Sequence, residues 1–281
     1  MIEPVLFRLL ESGGRNRKTK QAHPLSAKTV RHVASVLDVI LKAAVKKKLR
    51  ESNPMAGVEL PKVEPKEAVV LDADQLSWYL DISRSFGLYE ILLFAAATGC
   101  RREEALALTW TDIDFDTPTV TISKSLEQTR EGLRLKSTKN RRSRVLTLPS
   151  SVVEVLRMHR QAQDKNRVLL GDDYRQNLDL VFGDHAENYL KPDTVTAKAC
   201  LVARKAGFQG VGIHTLRHSH ASQFISEGRS TTSVSKRLGH SSVATTKKIY
   251  AHAIPKDNVD DAETWDTLFR STVERKPTQI S

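Results

Sequence analysis

The chain has 281 residues, enough for one large domain or two ordinary ones, and at 40% hydrophobic it can bury a sizeable core. Its net charge of +11 points to a polyanionic partner, with nucleic acid ahead of an anionic membrane. The longest apolar run, ILLFAAA at 91–97, falls short of the roughly 18 residues a membrane span requires, and two cysteines, Cys100 and Cys200, are too few for a disulfide framework or a structural zinc site.

The opening MIEPVLFRLLESGG carries Glu3 where a signal peptide would be basic and lacks a small-residue cleavage site, so a cytoplasmic protein is expected. It leaves a helical fragment over 2–11, followed by a polar, basic loop over 13–24. Ser26 predicts an N-cap for a helix over 27–49, with Val30, Val33, Leu37, Ile40, Leu41 and Ala44 at helical spacing. Lys28, Arg31, Lys42 and Lys46 lie off that stripe, so one face can pack while others meet DNA. Residues 15–50 hold eleven Lys/Arg against the single acid Asp38; a lone basic run is more often a solvated face, but a second one follows at 124–144. Asn53-Pro54 ends the element, because the residue before proline avoids helical angles. GVELPKVEPKEAVVL (57–71) reads as an extended interdomain linker.

Beyond it, Asp72 or Asp74 can cap a helix over 73–84. A buried helix over 87–98 should stop at Gly99, a usual left-handed C-terminal residue, and a short helix over 102–108 has its acids near the positive end of its dipole. Between 119 and 148 the period changes: TVTIS, GLRLKS and RVLTLP predict a three-stranded antiparallel meander, whose second turn, TKNRRS, is dense in positive charge. Helices are expected again over 151–166, 193–206, 215–227, 231–238 and 242–251. The final stretch carries AETWDTLF, a small apolar patch (Trp265, Leu268, Phe269) too short to bury itself.

Several groups follow one another in a fixed order. TGCRREEALALTWTDID places Arg101 after Thr-Gly-x, TKNRRS holds Lys139, and HTLRH pairs His214 with Arg217. RLGH supplies His240, and Tyr250 stands ten residues later. Singly each signal is weak: a lone tyrosine is usually packing, and Leu-Gly-His could be a plain helix C-cap. His214 and His218 are four apart on a helix, but no glutamate follows His214 as a zinc helix would require. In their joint order these motifs resemble the tyrosine recombinases, the phage-integrase family, over roughly residues 25–255.

The resemblance implies a mainly α protein with a small antiparallel three-stranded sheet in the two-domain recombinase architecture. Residues 1–60 would be a partial helical domain binding the DNA core site, 61–71 a linker and 72–256 an α+β catalytic domain. Residues 257–281 would be a tail able to dock on a neighbouring protomer. It implies a DNA strand-breaking and rejoining enzyme working through a 3′-phosphotyrosyl intermediate. Arg101 and Arg217 would clamp the scissile phosphate, whose charge grows in a five-coordinate transition state; fixed guanidiniums match its oxygens and stay charged. Tyr250 would be the nucleophile, His214 its proton acceptor, and His240 a hydrogen-bond donor to a phosphate oxygen. Lys139, with Lys136 as the alternative, would protonate the leaving 5′ oxygen, and Glu104 would orient Arg101 from behind. Lys28, Arg31, Lys42, Lys46, Arg141 and Arg142 are expected to contact DNA.

No cofactor and no metal are expected: the sequence has no GxxxxGK[ST] loop and no carboxylate metal signature. The implied partners are double-stranded DNA at attachment-type sites, three further copies of the chain in a tetramer, and a DNA-bending accessory protein. The front domain of the family has four or more helices; here one clear helix and a fragment precede the linker, so the chain resembles an integrase shortened at its N-terminus. Two alternatives therefore stand beside the enzyme: a catalytically impaired or non-catalytic DNA-binding remnant, and a type IB topoisomerase, which RLGHSSVATTKKIY resembles less.

Overall fold

The computed structural model describes residues 2–16, 19–64, 69–137, 143–174 and 178–253. The chain divides into two compact units, Met1–Glu67 and Ala68–Ser281. The first contains α1 (Glu3–Ser12), a two-residue-per-strand hairpin of β1 (Gly14–Arg15) and β2 (Ala22–His23), and α2 (Ala27–Lys46). The expected loop over 13–24 thus carries a small hairpin. Ser26 caps α2 by accepting a hydrogen bond from the Thr29 amide at 3.2 Å. The helix ends before residue 49 because Lys48 is left-handed (φ +54°), and the amides of Lys48 and Leu49 turn back onto the carbonyls of Val45 and Ala44. Its inward stripe is Val30 and Ala34, packed with Leu6, Met55 and Val58. Val33 and Ile40, placed on the packing face by their spacing, are instead exposed beside Val36 and Val39.

The second unit begins with α3 (Ala73–Arg84), capped by Asp72 rather than Asp74. The Asp72 carboxylate accepts from the Gln75 amide at 2.8 Å, and the Gln75 side chain accepts from the Asp72 amide at 3.1 Å. The next helix, α4 (Tyr89–Thr98), is buried on nearly every side and stops at left-handed Gly99 (φ +63°). A single turn, α5 (Arg102–Ala105), follows.

The β region is antiparallel, but its pairing departs from a meander. β3 (Ile113–Asp114), β4 (Thr119–Ile122) and β7 (Arg144–Thr147) form a three-stranded sheet in the order β3-β4-β7. β5 (Lys124–Thr129) and β6 (Gly132–Ser137) pair separately as a hairpin. GLRLKS therefore lies outside the sheet it was expected to join. Val120, Ile122 and Leu146 are buried in the sheet, whereas Leu133 and Leu135 of the hairpin are exposed. The alternating pattern marks both as strands without saying which neighbour each one meets.

Helices α6 (Ser150–Leu170), α7 (Pro192–Lys205), α8 (Ile213–Ser226), α9 (Thr231–Leu238) and α10 (Val243–Ile249) complete the unit. The main core joins α3, α4, the sheet, α6, α7 and the start of α8 through residues such as Leu92, Leu106, Val120, Leu156, Val202 and Leu216. Each such burial stabilises by about 1.5–3 kcal/mol before entropy is counted. A second cluster gathers Ala221, Ile225, Val234, Leu238 and Tyr250 from α8, α9 and the end of α10. The fold is thus mainly helical with small antiparallel sheets. Among the described residues no helix is long and apolar enough to cross a membrane. The patch at Trp265, Leu268 and Phe269 lies outside the described residues.

Candidate active site

The site starts from an ordinary problem of helices. The last carbonyls of a helix have no partners along it and form its negative end. At the end of α4 they are met by basic side chains from α8 and α9. His220 Nδ1 lies 2.9 Å from the Ala96 carbonyl, Arg237 donates to Ala97 at 3.0 Å, and Arg217 donates to Gly99 at 2.6 Å. A carbonyl can only accept, so His220 carries its proton on Nδ1. Its Nε2 then accepts from Arg237 Nε at 3.0 Å. Burial, reinforced by the Arg237 charge, pushes the His220 pKa down to about 4. The second guanidinium arm of Arg217 donates to the Leu238 carbonyl at 2.8 Å, so this buried arginine ties the C-terminal end of α4 to that of α9. Burial and the charge of Arg101 bring the Arg217 pKa down to about 10, leaving it charged at neutral pH.

Gly99 turns the chain directly into Arg101 at the cap of α5. There the Arg101 amide donates to Glu104 Oε2 at 2.8 Å and its guanidinium to Oε1 at 2.9 Å. Glu104 is 4% exposed and is also gripped by Arg144, the first residue of β7, at 2.7 and 3.2 Å. Burial opposes charge on Glu104, but the Arg144 bonds and the two neighbouring cations prevail, and its pKa is lowered. The Arg101 side chain, 41% exposed, keeps a face open to solvent. The Leu-Gly-His turn closes over Arg144: Gly239 is left-handed (φ +68°), and a Cβ there would lie 2.8 Å from Arg144 Nη1. The left-handed backbone favours glycine, and a side chain there would displace the end of Arg144.

That turn delivers His240, whose Nδ1 is 2.7 Å from the Thr246 hydroxyl. Burial, followed by the charges of Arg217, Arg101 and Arg144, lowers its pKa to about 4, so it is neutral at working pH. Tyr250, at the end of α10, is 1% exposed, with its ring in the α8–α9 cluster. Its hydroxyl lies 3.1 Å from His218 Nδ1, and the two rings are 5.7 Å apart. Burial raises the phenol pKa, and the charge of Arg217 works against that rise.

The structure therefore gathers Arg101 and Glu104 from α5 and its cap, Arg217 from α8, His240 from the turn after α9 and Tyr250 from the end of α10 into one electrostatic cluster. His214 sits at the exposed start of α8, one turn before Arg217, and lines a cavity of about 320 Å³ with Cys200, Arg204 and Phe208. Lys139, Arg141 and Arg142 lie outside the described residues. The alternative, Lys136, is exposed on β6 and paired with Glu127. Lys28, Arg31, Lys42 and Lys46 are exposed in the other unit, where Arg31 donates to the Pro61 carbonyl and Lys42 pairs with Asp38. Among the described residues no group of three or more His, Cys, Asp or Glu could hold a metal ion.

Two members of the cluster were not singled out for this chemistry by the sequence: Arg144, which completes the Glu104 pair, and His218, on the phenol. Arg144 opens RVLTLP directly after the basic turn, and His218 follows Arg217, so proximity to known members was the available signal.

Residues 70–256 match the phage integrase family. The chain is 27% identical over 264 residues to a tyrosine recombinase XerC-like protein of Caldanaerobacter subterraneus subsp. tengcongensis, covering 87% of this chain and 67% of that protein. It is 24% identical over 256 residues to the ICEBs1 integrase of Bacillus subtilis, covering 90% and 69% respectively. In fold it resembles the Tn1549 transposon integrase solved with a circular intermediate DNA (TM-score 0.72, 16% identity), over 94% of this chain and 91% of that one.

Proposed function

The chain belongs to the phage integrase family, and from that membership we propose how it works as a site-specific recombinase on double-stranded DNA. The observation that carries the reading is the seat of Arg217: its guanidinium donates to the Gly99 carbonyl, two residues before Arg101, and to the Leu238 carbonyl, two residues before His240. Two guanidiniums, a neutral imidazole and a phenol are what a metal-free phosphodiester exchange needs around one phosphorus.

Arg101 and Arg217 hold two non-bridging oxygens of the scissile phosphate. Glu104, itself held by Arg144, fixes the direction of Arg101. His240 gives a hydrogen bond from Nε2 to a phosphate oxygen when the Thr246 hydroxyl donates to its Nδ1, and His214 approaches from the exposed end of α8. The Tyr250 oxygen forms a bond to phosphorus as the bond from phosphorus to the 5′ oxygen breaks. Lys139, or Lys136 in its place, protonates the departing oxygen. A 5′-hydroxyl from another strand then displaces the tyrosine and reseals the backbone.

The basic residues Lys28, Arg31, Lys42, Lys46, Arg141 and Arg142 bind DNA phosphates, so affinity falls steeply with salt. Residues 1–60 act as a core-site-binding domain, 61–71 as a linker and 72–256 as the catalytic domain. Four copies assemble on two duplexes in the bacterial cytoplasm, with residues 257–281 of one docking on the next. Nicked duplexes drawn from the DNA flanking the gene test the central step. The parent should be trapped as a covalent adduct and Tyr250→Phe should not; an equal yield from both removes Tyr250 as nucleophile.

A further inference from the structure

Resting on the recombinase reading, we propose that His218 is a catalytic residue: its imidazole takes the Tyr250 proton as the phenol attacks phosphorus. Among the described residues three histidines compete for that task. His240 has its Nδ1 on the Thr246 hydroxyl, and His214 stands exposed at the head of α8. His218 has its Nδ1 on the phenol oxygen itself, at 3.1 Å, within the range a general base needs.

An acceptor in contact is required. A free phenol loses its proton near pH 10, and burial moves Tyr250 further up while Arg217 pulls against that shift. At neutral pH the hydroxyl therefore keeps its proton until a neighbour takes it. A neutral imidazole with its hydrogen on Nε2 presents a lone pair at Nδ1, where the phenol lies. The charge of Arg217 is felt at the Tyr250 hydroxyl, so a phosphate held by that guanidinium arrives near the pair. Among the described residues the charged and titratable groups around the pair include Arg217 from α8 and His240 from the turn after α9, with Arg101, Glu104 and Arg144 close to Arg217.

The step balances without an oxidant, a metal or a cofactor. One oxygen–phosphorus bond forms at Tyr250 and one breaks at the 5′ oxygen. The phenol proton moves to His218 Nδ1, giving an imidazolium, and the 5′ oxygen takes its proton from the hairpin lysine or from water. In resealing, His218 returns the proton to the phenol oxygen as it leaves phosphorus.

Two measurements test this. In the DNA-free protein labelled with ¹³C at tyrosine Cζ, the signal lost in Tyr250→Phe identifies Tyr250. As His218 gains a proton on lowering the pH, that signal should move in the parent and stay flat in His218→Gln. The same movement in both proteins overturns the proposal. On the nicked duplexes, His218→Gln, which keeps a hydrogen-bonding side chain but cannot take a proton, should slow adduct formation about 100-fold or more at neutral pH. Binding should be unchanged and the rate should recover as pH rises; His218→Ala should behave alike. Parent-like rates and pH profile in His218→Gln overturn the assignment. If the parent itself forms no adduct, the recombinase reading fails, and the NMR result still decides whether His218 titrates against Tyr250.

Discussion

Arg144 and Glu104 are forty residues apart in sequence and meet as a two-pronged ion pair at 2.7 and 3.2 Å, both nearly sealed from solvent. Through the carboxylate, Arg144 governs the direction of Arg101 without reaching solvent itself. Removing Arg144 leaves buried Glu104 with Arg101 as its remaining cation, so the loss should be about 2–3 kcal/mol, below that of a fully stranded charge. Arg144→Ala should therefore lower the urea unfolding free energy by about that amount and slow adduct formation even at low temperature, where the variant is folded. A loss below about 1 kcal/mol would place this pair among solvent-screened surface bridges.

Gly99 allows a sharper comparison. Its φ is +63°, and a Cβ there would sit 2.7 Å from Leu238 Cδ2 and 2.8 Å from His220 Cδ2. Gly87 has nearly the same φ, +62°, with nothing within 4 Å. Gly87→Ala should cost about 1–2 kcal/mol from the left-handed backbone alone. Gly99→Ala should cost more and also reduce cleavage, because the Gly99 carbonyl seats Arg217. Equal losses in chemical denaturation would show that the neighbours of Gly99 yield freely.

Tyr250 has two separable parts. Its ring belongs to the core cluster of α8 and α9, and its hydroxyl bonds His218. Tyr250→Phe should lose about 1 kcal/mol of stability, whereas Tyr250→Ala should lose about 3–5 kcal/mol. Both should abolish the adduct. Matching stabilities of the two variants would mean that the ring is not packed as described.

One buried and one half-buried imidazole set an acid limit. His220 and His240 titrate at about 4 in the native chain, against 6.5 for an ordinary histidine. The unfolded chain therefore binds protons that the native chain refuses. Stability is full above pH 6.5 and falls as pH drops from there toward 4. His220→Gln should shrink the difference in urea midpoint between about pH 7.5 and pH 5, leaving the His240 share. An undiminished pH dependence would exclude His220 as a source.

The ordered motifs made legible that Arg101, Arg217, His240 and Tyr250 come together, and three of them are placed by local chemistry: a glycine stop before Arg101, a helical turn around Arg217, and a left-handed glycine before His240. Capping residues likewise set the starts of α2 and α3. Pairing over distance was not legible. Nothing in RVLTLP announces that Arg144 will find Glu104 across the fold, or that its strand pairs with β4 and leaves GLRLKS to a separate hairpin. The inward stripe of α2 was displaced for a similar reason: Val33 and Ile40 are as apolar as Val30, and only the position of α1 decides which of them is covered. His218 was passed over because a histidine adjacent to a motif residue carries no mark of what will fold onto it.

Arg217 occupies both arms in joining two helix ends, and this has a bearing on how copies of the gene decay. A descendant that gives up strand exchange yet still needs its shape can exchange the phenol for a benzyl ring at little penalty, but it cannot shed the guanidinium without loosening its own frame. Persistence of the arginine in a degenerate relative is thus poor testimony to activity, and the aromatic hydroxyl is the better witness.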